Sequence, residues 1–158
     1  MKYARLMAII LTIFTVPLGV LASDKQDMGG WEKEGAYNRL YDLNEMDTFK
    51  AAVVGISTSV PMPGMSPGVV LQVRDQDEEL ITVHVCPVWF AKPSSIGLKK
   101  GDRIKLRGAW TEIDGKDVFL VSKIKKEDDW QFKVRLTSDG TPFWTLSPEE
   151  LDKERNSD

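Results

Sequence analysis

Val69-Val70-Leu71-Gln72-Val73-Arg74, an acidic stretch at 75–79, and then Leu80-Ile81-Thr82-Val83-His84-Val85 decide the fold. In the first run Val69, Leu71 and Val73 alternate with Gln72 and Arg74; in the second, Ile81, Val83 and Val85 alternate with Thr82, His84 and Cys86. A strand sends successive side chains to opposite faces, so each run has one apolar face and one mixed face. The two read as neighbouring strands joined by an acidic turn, with one side turned to a core.

Working outward, residues 48–59 are β-branched and small, and Pro61-Met62-Pro63-Gly64-Met65-Ser66-Pro67-Gly68 is dense in turn formers. Residues 91–100, with Pro93, Ser94, Ser95 and Gly97, read as a connector, either a short helix or an irregular crossing. After the Gly101-Asp102 turn, Ile104 and Leu106 point inward against Lys105 and Arg107, and Asp114-Gly115 is a tight hairpin signal. Val118, Leu120 and Ile124 share one side of the run that follows. The expectation is an all-β, five-stranded OB-fold-like barrel over 48–126, with the connector between its third and fourth strands.

Residues 130–136 alternate again, and Ser138-Asp139-Gly140 turns the chain toward Pro142-Phe143-Trp144, which predicts an appended C-terminal β-hairpin over 127–146. Ser147-Pro148-Glu149-Glu150 is a helix start at the head of a charged tail, 147–158. Residues 23–47 form a polar arm anchored only by Trp31, Tyr37, Leu40 and Tyr41, expected to hold one helical turn near 37–43 and to pack loosely.

Lys2 and Arg5 precede an apolar run at 6–20 containing Pro17 and Gly19, and Val20-Leu21-Ala22 sets small residues where a signal peptidase reads. This predicts a signal peptide over 1–22, cut between Ala22 and Ser23. The alternative is an uncleaved anchor, although a spanning helix needs ~20 apolar residues. Both readings place the domain outside the cytoplasm, in the periplasm, and membrane-anchored if the leader stays.

A chain of 158 residues suits one domain with its own core. The formal charge is −3, and about −5 without Lys2 and Arg5, which argues against nucleic acid as the partner. One cysteine excludes an intramolecular disulfide, and one histidine excludes a His-rich zinc site. No Cys-x-x-Cys-His stretch exists for haem attachment. No acid–base pair, nucleophile set or phosphate loop can be assembled, so the expectation is a binding protein and not an enzyme.

Two candidate sites follow. On a regular strand His84 and Cys86 leave the same face ~7 Å apart, and the Met62/Met65 loop is placed to approach them. Imidazole, thiol and thioether together suit a copper(I) ion, and iron less well. Against this, a lone strand histidine is ordinarily a hydrogen-bonded structural residue, and loop methionines plug barrel ends. The second candidate is a ligand face of Trp89, Phe90, Arg74 and Arg107 for an oligosaccharide or a small anionic ligand. Its competitor is that such aromatics, with Trp110, Phe119, Trp130, Phe143 and Trp144, build the core. Basic residues around the fourth and fifth strands form a positive stripe, either an ordinary solvated face or a contact for anionic lipid or an acidic partner.

Several stretches carry a resemblance: Tyr37-Asn38-Arg39-Leu40-Tyr41 before the first strand, Met62-Pro63-Gly64-Met65-Ser66-Pro67-Gly68 in the first loop, Val83-His84-Val85-Cys86-Pro87-Val88-Trp89-Phe90 closing the third strand, and Leu98-Lys99-Lys100-Gly101-Asp102 leading into the fourth. With these, the chain from Trp31 to Trp144 resembles the bacterial periplasmic OB-fold domains of the magnetosome protein MamS/MamX type. Relatives usually carry a small residue where Cys86 stands, and some carry a haem-attachment motif that is absent here. The resemblance implies an exported accessory role in envelope or magnetosome-type metal (iron) handling, exercised through contacts with other envelope or magnetosome-type proteins.

Overall fold

The computed structural model describes residues 27–126 and 129–157; the expected leader and its Ala22/Ser23 cleavage site lie outside them. Among the described residues the strands are β1 (Met46–Ser59), β2 (Gly68–Asp75), β3 (Leu80–Pro87), β4 (Arg103–Ile113), β5 (Lys116–Lys126) and β6 (Trp130–Lys133), and the α-helix is α1 (Pro148–Arg155). Neighbours run β3-β2-β1-β4-β5-β6, and β3 also pairs with β5. That last pairing is parallel, through Val83↔Phe119 and His84↔Leu120, while every other pair is antiparallel. It closes β1-β2-β3-β5-β4 into a ring, the strand plan of an OB-fold, with β6 appended outside it.

The ring closes because β1 serves two neighbours. Its first half pairs with β4 from Met46 to Ala52, its second with β2 from Ala51 to Ser59. The register skips a residue between Val53 and Gly55, and a bulge of this kind bends a strand from one sheet to the next. Asp114 and Gly115 both have positive φ, 51° and 71°, the conformation a two-residue hairpin between β4 and β5 requires. Inside the ring Val53, Leu71, Val73, Val83, Leu106, Phe119 and Ile124 are all buried. On β2, β3 and β4 these are the positions at which the alternating pattern points inward; β5 departs from it, because the register skips between Arg107 and Gly108, so Phe119 points inward while Val118 and Leu120 lie on the outer face and do not share a side with Ile124.

The C-terminal hairpin has one true strand. β6 pairs with β5 from Lys123↔Lys133 to Lys126↔Trp130, and the chain then returns through a single bridge, Arg135↔Pro142. The returning leg becomes a 3-10 turn at Phe143–Thr145, whose Phe143 and Trp144 are buried. Ser147 and Glu150 form a reciprocal capping box at the start of α1, with Pro148 at its first turn.

The N-terminal arm departs from expectation. Trp31 and Tyr37 are 1% and 2% exposed, as deep as the barrel residues, so the arm does not lie loosely. Fully burying an aromatic ring contributes on the order of 2–3 kcal/mol. The arm is therefore part of the fold.

Candidate functional site

By the pairing of β2 with β3 and β3 with β5, Val70, His84 and Leu120 lie side by side on the outside of the barrel. All three are nonetheless buried. The arm covers them. The Tyr37 ring stacks on the His84 imidazole with centroids 6.0 Å apart, and its hydroxyl lies 3.2 Å from His84 Nδ1. Trp31 meets Tyr37 edge-on at 4.7 Å and occupies the space above Gly68, where a Cβ would stand 2.6 Å from the indole. Glycine at 68 is what lets an indole lie against the strand backbone.

Hydrogen bonds fix the arm at both ends. Trp31 Nε1 donates to the Ser66 carbonyl (3.0 Å), and the Ser66 amide donates to the Gly29 carbonyl (2.8 Å). The Trp31 carbonyl accepts from Asn38 Nδ2 and from Trp144 Nε1, each at 2.9 Å. Arg135 then ties the arm to the C-terminal return: Nη2 donates to Asn38 Oδ1 (2.8 Å) and Nη1 to the Gly140 carbonyl (3.2 Å). Its guanidinium lies 4.7 Å from the Tyr41 ring centroid and 5.1 Å from that of Trp144. Arm and return interlock over the outer face of β2 and β3.

This arrangement encloses the metal candidates. Burial lowers the His84 pKa to about 4, so the imidazole is neutral, and Tyr37 occupies the neighbourhood of Nδ1. Burial pushes the Cys86 thiol up to about 12, partly offset by its contact with the Ala91 carbonyl. The shared face fails. Gly68 pairs with Pro87 and Val70 with His84, so Val85 and Cys86 together oppose Val69. Regular alternation is interrupted at that bulge. Met62 and Met65 are half-buried against the core, with Met65 beside Gly30 of the arm. Among the described residues no group of three or more His, Cys, Asp or Glu side chains is arranged to hold a metal. Of the four candidate side chains, His84 is engaged by the Tyr37 hydroxyl at Nδ1, and Cys86 Sγ lies 3.9 Å from the Ala91 carbonyl.

The second candidate face is dispersed. Arg74 stands opposite Leu80 at one end of the β2–β3 pair and ion-pairs with Glu78 at 3.7 Å. Trp89 follows Pro87 at the other end, ~20 Å away by strand rise, and is 46% exposed. Phe90 is half-buried between Trp144 and Arg155. Arg107 lies on β4, between Thr48 and Lys123. The structure does not bring these four side chains together.

Asn38 and Arg135 form the polar centre of the covered face, and sequence reading missed both. A lone cation in an alternating run looks solvent-facing; only the return leg shows that Arg135 is 3% exposed.

Comparison with solved structures finds a replication protein A heterotrimer bound to single-stranded DNA, 14% identical, with a TM-score of 0.41. That match covers 54% of this chain and 59% of the other, so the chain spans under two thirds of it. A second match is the N-terminal domain of PriB protein from Thermoanaerobacter tencongensis, 16% identical, with a TM-score of 0.37, covering 54% of this chain and 99% of that one. Comparison with curated proteins gives no match. Residues 45–130, which contain all five strands of the ring, match the sequence model of the MamS/MamX magnetosome protein family. The chain belongs to the MamS/MamX magnetosome protein family.

Proposed function

We propose that the chain is an exported, non-enzymatic accessory module that serves magnetosome-type iron handling by contacting other envelope or magnetosome proteins. One observation carries the reading: the outer β2–β3 face, where OB-folds take oligonucleotides and oligosaccharides, is filled by the chain's own Trp31 and Tyr37. A small ligand or sugar would have to displace two buried aromatic rings to reach it. What remains outside includes Trp89 and Val60, 46% and 49% exposed. They flank the first loop, where the Val88 amide donates to the Pro67 carbonyl. Exposed tryptophan is the residue type most enriched at the energetic centres of protein interfaces.

Affinity purification of the tagged full chain from a magnetosome-forming host, beside a Trp89→Ser variant, tests this. The expected result is one envelope or magnetosome protein retained in stoichiometric amount by the parent and lost with the variant. Recovery of the parent alone under gentle conditions, or retention indifferent to Trp89, would overturn it.

A further inference from the structure

The strand register lays out a second face, on the outside of β1, β4, β5 and β6 and the adjoining end of β2. Thr48 pairs with Arg107, Arg107 with Lys123, and Lys123 with Lys133. One step along, Lys50 pairs with Lys105, Lys105 with Lys125, and Lys125 with Gln131. A third row runs from Leu80 through Arg74 and Ala52 to Arg103. Eight of these twelve positions are Lys or Arg, and none is Asp or Glu. The inward partners, Ala51, Ile104, Leu106 and Ile124, are buried, which fixes the basic set on the outside.

Like charges directly across a sheet are destabilising. Here Lys105 has lysines opposite it on both sides, in a chain whose formal charge is −3. Local neutralisation is partial. Arg74 meets Glu78, Lys133 donates to the Glu154 and Ser157 carbonyls, Lys123 has a partner of its own, and Asp75 and Asp77 border the groove that Lys50 and Lys105 line. Two acids against the Lys50–Lys105–Lys125 row and its basic neighbours leave the face with a net positive charge.

We propose that this face is a docking surface for an anionic lipid bilayer, with Lys50, Lys105 and Lys125 at its centre. The charges sit on a grid ~4.8 Å by ~7 Å, spread across the strands of the face, with only Lys50 and Lys105 bordering a shallow groove that they share with Asp75 and Asp77. That suits a surface of many laterally mobile anions. Protein interfaces deplete lysine at their cores and concentrate aromatic residues there, the reverse of this pattern. Single-stranded nucleic acid takes aromatic stacking platforms, and none of the twelve positions is aromatic. The inference goes beyond the protein-contact reading and uses different residues, so either can fail alone.

Flotation of the full chain with phosphatidylcholine vesicles, and with vesicles in which phosphatidylglycerol replaces part of the phosphatidylcholine, provides the test. The expected result is added binding to the anionic vesicles only, weakened by salt. It should fall about a hundredfold in the Lys50→Gln/Lys105→Gln/Lys125→Gln variant, at about fivefold per cation. A Lys100→Gln/Lys116→Gln control should bind as the parent does. The triple variant should be no less stable than the parent in urea, since it removes like-charge pairs, so lost binding cannot be assigned to unfolding. Equal binding to both vesicle types, or a triple variant that binds as well as the parent, would overturn the proposal. So would binding to polyglutamate without binding to vesicles, which would assign the face to an acidic protein.

Discussion

Arg135 Nη2 donates to Asn38 Oδ1 at 2.8 Å, joining residues 97 positions apart. Among the described residues the guanidinium has no carboxylate in ion-pair range. It also meets the Gly140 carbonyl and the faces of Tyr41 and Trp144, and among the described residues Nε has no hydrogen-bond partner. Burial pulls its pKa below the ordinary arginine value. A buried cation with one side-chain acceptor depends heavily on that acceptor.

Asn38→Ala should therefore destabilise the protein by about 3 kcal/mol, since it leaves the buried Arg135 Nη2 without its acceptor and removes the donor to the Glu32 carbonyl and one of the two donors to the Trp31 carbonyl. Asn38→Ala/Arg135→Met should be less destabilised than Asn38→Ala alone, because the second change removes the uncompensated charge. Urea titrations of the parent, both single variants and the double variant measure this coupling. Additive losses would show that the guanidinium does not lean on Asn38.

His84 gives the fold a pH dependence of definite sign. Its pKa falls from the ordinary 6.5 to about 4 through burial, so between those values the unfolded chain binds the extra proton. The stability tied to a neutral His84 is fully present above pH 6.5, declines as pH falls through the window, and is gone near pH 4. The loss is at most about 3 kcal/mol. Asp102, Asp139 and Glu150 also have lowered pKa values, and their stabilisation is lost at lower pH as their carboxylates protonate. His84→Gln keeps a polar group beside Tyr37 and cannot titrate. Its stability should be flatter than that of the parent between pH 6.5 and 4, as read by denaturant midpoints across that range.

How much of this was legible depended on how many faces of a strand were buried. β4 shows its alternation plainly because only one side is covered: Ile104 and Leu106 are buried, Arg103, Lys105 and Arg107 exposed. The end of β3 gives no such contrast. Val83 to Pro87 are buried on both sides, since the arm covers what the pattern leaves outside. His84 and Cys86 therefore look like an available pair in the sequence and are a covered, bulged segment in the fold. The arm itself was opaque for a related reason. Trp31 and Tyr37 stand among polar residues with no periodicity, and their partners, Gly68, His84 and Trp144, come from distant parts of the chain. The basic grid was half visible, as outward cations on two strands. That Lys50 and Lys133 extend it to β1 and β6 follows only from the register.

The contact between Gly68 and Trp31 offers the sharpest test that the arm belongs to the barrel. A methyl group at 68 would stand 2.6 Å from the Trp31 ring and 3.3 Å from the Cys86 carbonyl, so either the indole must move or β2 must shift. Overpacking of this kind costs about 1–3 kcal/mol. Trp31→Ala alone removes a fully buried aromatic and should cost about 3–5 kcal/mol. In the Trp31→Ala background the obstacle at 68 is gone, so Gly68→Ala should add little further loss. Chemical denaturation of the four proteins reads the cycle directly. If Gly68→Ala costs as much with Trp31 absent as with it present, the strand backbone and not the arm sets the requirement for glycine.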